Sequence, residues 1–126
     1  MLIVTMYEIT IVEDDKAIRE MYRHKLQAEG YSVSVAEDGK IAKAVLEEVK
    51  PDLVLLDIKM PKLPGNEVLR WLRGTSWGAN TKVIVLTNVS KSEASSDFRV
   101  LSVSQYIVKA HFTPSQVMQI IKDVLS

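Results

Sequence analysis

The chain contains no cysteine. Disulfide frameworks, thiolate metal sites and cysteine nucleophiles are therefore excluded together, and the absence fits a reducing compartment. An excess of charge is missing too: 16 Lys and Arg stand against 16 Asp and Glu. No whole-chain field draws the protein toward nucleic acid or a membrane surface, so neither direct nucleic-acid binding nor membrane insertion is expected. Long apolar spans are also lacking. The N-terminal MLIVTMYEITIV is interrupted by Glu8, has no basic segment before it and no small-residue cleavage site after it, and is too short to cross a bilayer. It reads as a strand behind a short leader (1–6), with Met6 as an alternative start. No repeat, low-complexity segment or linker interrupts the 126 residues. With 47% hydrophobic and 25% charged residues, the composition is that of one soluble globular domain over 1–126, with a core from about 7 to 125.

Strand-like and helix-like patterns alternate along the chain. Tyr7–Glu13 is rich in β-formers, and Lys16–Glu29 carries Ile18, Met21, Tyr22 and Leu26 near helical spacing, with Gly30 placed as a helix stop. Tyr31–Ala36 alternates valine with serine, and Lys40–Val49 has the stripe Ile41, Ala44, Val45 and Leu46 before Pro51. Asp52–Asp57 and Lys82–Leu86 read as buried strands, Asn66–Arg73 as a short helix and Gly74–Asn80 as a loop. Ser90–Leu101 is the weakest helix, because Ser90, Ser92, Ser95 and Ser96 disfavour it, although Phe98 and Leu101 supply an inner face. Gln105–Val108 is the last strand. Thr113-Pro114-Ser115-Gln116 is a capping box with proline at the first helical position, opening the last helix. Trp71 and Trp77 lie outside the inward stripe Val68, Leu69 and Leu72. They are expected to pack together over the loop, the alternative being a docking patch. Five strands alternating with five helices predict an open doubly wound α/β sheet, whose ligand site forms at the carboxyl ends of the strands.

Those strand ends are polar. The stretch DLVLLD runs four apolar residues into Asp57, the first strand ends in Glu13-Asp14-Asp15, the fourth in Thr87-Asn88 and the fifth in Lys109. A carboxylate at the mouth of a buried strand is costly unless something pairs with it. Converging carboxylates repel by about 4 kcal/mol per pair at 4 Å and an effective dielectric near 20. A hard divalent cation relieves this, and Mg²⁺ with carboxylates, water and phosphate oxygens fits best. Asp57 as nucleophile, with Mg²⁺ and Lys109 neutralising phosphoryl oxygens and Thr87 binding a third, describes a phosphoryl-transfer site. Singly, each residue has an ordinary reading: Asp15 as a helix cap, Asp57 in a turn, Lys109 on the surface, Thr87 at a strand end and Tyr106 in packing.

The segments IVEDD (11–15), LLDIKMP (55–61) followed by Gly65, VLT (85–87) and YIVK (106–109) stand in order, each at its own strand end. With them the chain resembles the receiver domain of two-component response regulators over roughly residues 7–125, and in particular the single-domain chemotaxis-type regulators. The resemblance implies a flavodoxin-like fold with strand order 2-1-3-4-5. It implies that Asp57 accepts a phosphoryl group from a histidine kinase or phosphotransfer protein, with Asp14 binding Mg²⁺ directly, Glu13 through water and the backbone carbonyl of Lys59 as a further ligand. Thr87 and Tyr106 would form the switch pair. Output to a downstream protein would pass through the face of the fourth helix, fifth strand and fifth helix, with the serine-rich fourth helix as the moving part. The chain ends directly after the fifth helix, so no output domain is expected in it, and the reading is a stand-alone or excised receiver, cytoplasmic and not a turnover enzyme. The rivals are a Mg²⁺-dependent phosphohydrolase working through an aspartyl phosphate and a degenerate receiver that only binds partners. The first needs a second acid two residues after the nucleophile, where Lys59 stands, and a cap insertion that the chain lacks.

Departures from the family pattern carry further expectations. Ala110 follows Lys109 where receivers usually have proline, and the loop to the last helix is one residue longer, with His111 and Phe112 before Thr113. A cis bond before alanine would cost about 2.5–4 kcal/mol, so Lys109–Ala110 is expected to be trans. Asn88 either narrows access to the phosphoryl group, donates to it, or starts a turn. The positions two after Asp57 and Thr87 are Lys59 and Val89. Neither offers an acceptor for a hydrolytic water, which predicts slow autodephosphorylation and faster decay in a Lys59→Asn, Val89→Glu double variant.

Overall fold

A computed structural model describes residues 6–126; apart from Met6, the leader lies outside the described residues. Five strands, β1 (Glu8–Val12), β2 (Ser32–Ala36), β3 (Leu53–Leu56), β4 (Lys82–Thr87) and β5 (Gln105–Val108), form one sheet in the order β2-β1-β3-β4-β5. All neighbouring pairs are parallel. Between and after them run α1 (Lys16–Ala28), α2 (Gly39–Val49), α3 (Gly65–Gly74), α4 (Asp97–Val100) and α5 (Pro114–Leu125). This is the flavodoxin-like doubly wound fold anticipated from the sequence.

The period of two in a strand divides the core between the faces of the sheet. Leu53, Leu55, Ile84 and Leu86 join Tyr22 and Leu26 of α1 and Val117, Ile121 and Leu125 of α5 in one cluster. Val54, Leu56, Val83 and Val85 join Leu46 of α2, Val68, Leu69 and Leu72 of α3 and Phe98 of α4 in the other. Helices on both faces leave β3 buried along its whole length, which is why its sequence is an unbroken apolar run.

Local signals set most boundaries. Asp15 caps α1 by accepting from the Ile18 N–H at 3.0 Å. The N–H of Gly30 reaches the Gln27 carbonyl and that of Tyr31 the Leu26 carbonyl, a Schellman closure that needs the positive φ (+94°) of Gly30. Thr113 and Gln116 bond reciprocally as a capping box on α5. No cis peptide bond occurs among the described residues, so Lys109–Ala110 is trans as expected, and a 3-10 turn over Lys109–His111 takes up the extra length. Trp71 and Trp77 do pack together, edge to face with ring centres 6.1 Å apart, and the Trp77 indole N–H donates to Glu47.

The fourth helix departs from expectation: the predicted span 90–101 shrinks to the single turn Asp97–Val100, preceded by turns. Serine side chains compete with the helical ladder, as where the Ser95 hydroxyl accepts from the Asp97 N–H at 3.2 Å. The short helix is held instead from α3. Asn66 and Arg70 bond the Asp97 carboxylate (3.3 and 2.6 Å), and Arg73 donates to the carbonyls of Leu101 and Ser102, both at 2.7 Å.

Candidate functional site

Strand register brings the acidic groups together. Val12 of β1 pairs with Leu56 of β3, and Asp57 N–H continues the ladder to the Val12 carbonyl at 2.9 Å. Glu13 and Asp57 therefore leave the sheet side by side at the topological switch, where the chain order reverses between β1 and β3. Glu13, Asp14 and Asp57 each offer a carboxylate oxygen within 4.8 Å of the others. Arg19, one turn into α1, donates to the backbone carbonyls of Glu13 and Asp14 (2.9 and 3.3 Å) and holds the acidic loop on the helix.

Asp57 is only 6% exposed, and its Oδ1 accepts from the Ile58 N–H at 2.8 Å. Gly65 keeps this loop tight. Its N–H donates to the Ile58 carbonyl, and a Cβ at 65 would fall against the Asp57 carbonyl and 2.9 Å from the Ile58 Cα. Lys109, one residue beyond β5, spans the end of β4 and places its Nζ 2.5 Å from Glu13 Oε1 and 3.5 Å from Asp57 Oδ2.

The carboxylates are crowded enough for one of them to retain a proton. Burial, followed by the neighbouring Asp57 carboxylate, pushes the Glu13 carboxyl up to about 8, although Lys109 pulls it down. Burial works against the Lys109 charge, but its hydrogen bond to Glu13 and the Asp57 charge outweigh burial and raise its pKa. The donor set fits a hard divalent cation: the three clustered side chains offer carboxylate oxygens, the proton that crowding holds on Glu13 is one a cation would displace, and Asp14 is exposed to solvent.

Thr87, buried at the end of β4, accepts from the Val89 N–H at 3.3 Å. Tyr106 of β5 donates its hydroxyl to the Val89 carbonyl at 2.7 Å and packs edge to face on Phe98 with ring centres 6.0 Å apart. Above Asp57 lies a cavity of about 380 Å³ lined by Lys59, Thr87, Asn88, Val89, Glu93 and Lys109.

Glu13, Asp14, Asp57, Thr87 and Lys109 thus lie at the carboxyl edge of the sheet, whereas Tyr106 is the second residue of β5 and pairs with Val85. Glu13, Asp14, Asp57 and Lys109 meet directly, Thr87 shares the cavity, and Tyr106 reaches it through Val89. Asn88 and Lys59 are exposed and line the mouth. Arg19, the Ile58 N–H and Glu93 were not anticipated. Arg19 stands one helical turn after the Asp15 cap, a spacing that would have flagged it as able to fold back on the loop. Glu93 carries no such signal, because a turn within the serine-rich segment aims it. The cavity consequently has a carboxylate at its entrance that the spacing from Asp57 and Thr87 did not point to.

Residues 9–122 match the sequence model of the response regulator receiver domain. The chain belongs to that family. Among curated relatives, the response regulator MprA of Mycolicibacterium vanbaalenii is 46% identical over 79 residues, 63% of this chain and 33% of that protein. The chain spans about a third of the length of the curated relatives it matches. Among solved structures, a CheY-like receiver domain protein from Methanospirillum hungatei superposes with a TM-score of 0.88 at 30% identity, covering 96% of this chain and 94% of that one. The response regulator TrrA of Thermotoga maritima, in complex with Mg(2+)-BeF, gives 0.80 at 34% identity, covering 94% and 99%.

Proposed function

We propose that the chain is a phosphorylation-controlled switch of two-component signalling that takes a phosphoryl group on Asp57. The observation that carries this reading is one cavity in which a nearly buried carboxylate, Asp57, meets an ammonium, Lys109, and a hydroxyl, Thr87. A carboxylate oxygen of Asp57 attacks the phosphorus of a phosphohistidine on a histidine kinase or phosphotransfer protein. The nitrogen–phosphorus bond breaks, and its electron pair leaves with the imidazole. Lys109 and Thr87 then bind the oxygens of the transferred group, the one by charge and the other by its hydroxyl proton. Asp14 and Asp57, Glu13 through water, and the backbone carbonyl of Lys59 would hold Mg²⁺, which when bound supplies positive charge against the phosphoryl oxygens. The TrrA receiver in complex with Mg(2+)-BeF supports the same assignment here.

Output runs through Val89. Thr87 and Tyr106 grip opposite sides of that residue's backbone, so a Thr87 hydroxyl drawn to the phosphoryl group repositions Val89 and with it the Tyr106 ring. Tyr106 and Phe98 line the groove between α4 and β5, where a downstream protein would read the change. Moving the equilibrium between two states from 1:99 to 99:1 takes about 5.5 kcal/mol of differential stabilisation. Among the described residues no helix is long and apolar enough to cross a membrane.

Incubation with acetyl phosphate and Mg²⁺ tests the reading. A phosphoprotein is expected for the wild type and none for Asp57→Asn. Steady turnover of small phosphate esters would favour the hydrolase instead.

A further inference from the structure

The cavity over Asp57 holds one acidic group for which neither phosphoryl acceptance nor the switch has a use. The N–H of Glu93 donates to the Ser90 carbonyl at 3.0 Å, and this turn folds the chain back so that Glu93 lines the same cavity as Asp57, Lys59, Val89 and Lys109. Among the described residues it is, apart from Asp57, the only carboxylate there. Lys109 is committed to Glu13 and Asp57, and among the described residues Glu93 forms no ion pair. Glu93 is exposed, so its carboxylate meets bulk water on one side and the cavity on the other. Its charge also reaches inward: after burial and Asp57, it contributes to raising the pKa of the Tyr106 hydroxyl.

We propose that Glu93 holds the water that hydrolyses phosphorylated Asp57 and so sets the lifetime of the signal; this rests on the receiver reading above. Hydrolysis needs a water oriented at phosphorus. The Val89 side chain offers that water no hydrogen bond, and the Lys59 ammonium only donates. A carboxylate accepts from the water and aims its lone pair inward. The water oxygen bonds to phosphorus while the bond between phosphorus and the Asp57 oxygen breaks, and that bond's electron pair stays on the Asp57 carboxylate. One water proton passes to Glu93 and from there to solvent, and inorganic phosphate is released. The opposing effect is repulsion between Glu93 and the phosphoryl dianion. It weakens loading as well as retention, whereas water orientation acts on decay alone.

The test separates these contributions. Wild type, Glu93→Ala and Glu93→Gln are loaded with acetyl phosphate and Mg²⁺ and desalted, and the loss of phosphoprotein is followed by intact-mass spectrometry. Glu93→Ala should decay about tenfold more slowly, the size of effect expected when one charge-assisted hydrogen bond is lost from a transition state. Glu93→Gln keeps an acceptor oxygen but takes no proton, and should fall between the two. Loading rates should stay within about twofold of wild type. Equal or faster decay in Glu93→Ala overturns the proposal, as does an effect confined to loading. A label that forms and decays independently of residue 93 sinks this inference alone. No label, or a label that survives Asp57→Asn, sinks the receiver reading and the inference with it.

Discussion

The Tyr106 hydroxyl donates to the Val89 carbonyl at 2.7 Å, while the N–H of the same residue donates to Thr87 at 3.3 Å. Val89, in the loop after β4, therefore joins the Thr87 side chain in the cavity over Asp57 to the ring in the groove between α4 and β5. Tyr106→Phe removes one bond of this link and keeps the packing on Phe98. It should cost about 0.5–1.5 kcal/mol in urea denaturation and speed amide exchange over residues 88–93. Unchanged exchange in that segment would mean that Val89 is held by something else.

Glu13 makes the response to Mg²⁺ depend on pH. With a folded pKa of about 8 against an ordinary 4.5, the folded metal-free domain binds a proton that the unfolded chain releases. The stability linked to this proton is complete below pH 4.5 and is lost as pH rises through 8, at up to about 1.4 kcal/mol per pH unit. A cation favours the deprotonated carboxylates. The rise in melting temperature on adding saturating Mg²⁺ should accordingly be larger at pH 8 than at pH 5, as thermal melts at both pH values can show. An equal rise at both would contradict the elevated Glu13 pKa.

Asp57→Asn should abolish phosphorylation and yet stabilise the metal-free domain. The amide oxygen can still accept from the Ile58 N–H, and the repulsion with Glu13 and Asp14 is removed. A gain of about 1–2 kcal/mol at pH 9, where Glu13 is ionised, is expected, reduced by the weakened attraction to Lys109. The gain should shrink at pH 7, below the Glu13 pKa of about 8, because Glu13 is then protonated and repels Asp57 little. Chemical denaturation at the two pH values checks both the sign and the trend.

Arg73 ties two segments to α3 through backbone carbonyls: Gly78 and Thr81 before β4, and Leu101 and Ser102 after α4. Arg73→Ala should cost about 3 kcal/mol, because partly buried carbonyls lose a charged donor. Arg73→Lys should recover less than half of that, since one ammonium cannot reproduce a planar fork. Urea midpoints of the three proteins are the measurement.

Gly65→Ala should lower the rate of phosphorylation by acetyl phosphate more than tenfold. The added methyl meets backbone at Asp57 and Ile58, so the acceptor loop itself has to move. Ala substitution at Gly74, where a Cβ meets nothing within 4 Å, provides the control and should leave the rate unchanged.

What the sequence determined by itself was everything that depends on neighbours along the chain. The unbroken apolar run of β3, the alternation of strands with amphipathic helices, the Asp15 cap, the Gly30 stop and the Thr113–Gln116 box are each specified within a few residues. The polar residues ending β1, β3, β4 and β5 followed too, because parallel strands in a doubly wound sheet all present their carboxyl ends to one edge. The tertiary structure decided the rest. Lys109 bonds a carboxylate 96 positions away, and the closer of its two partners is Glu13, a choice set by strand register and by the spacing of strands across β4. The shrinkage of α4 to one turn depended on α3 side chains that hold Asp97 and the carbonyls after it in place of a helical ladder. Glu93 reached the cavity over Asp57 because that segment turns at Ser90, and a turn among serines leaves no periodic trace. Local propensity and periodicity are short-range terms that one sequence displays directly, whereas side chains far apart in the chain acquire their partners only when packing fixes the distance between them.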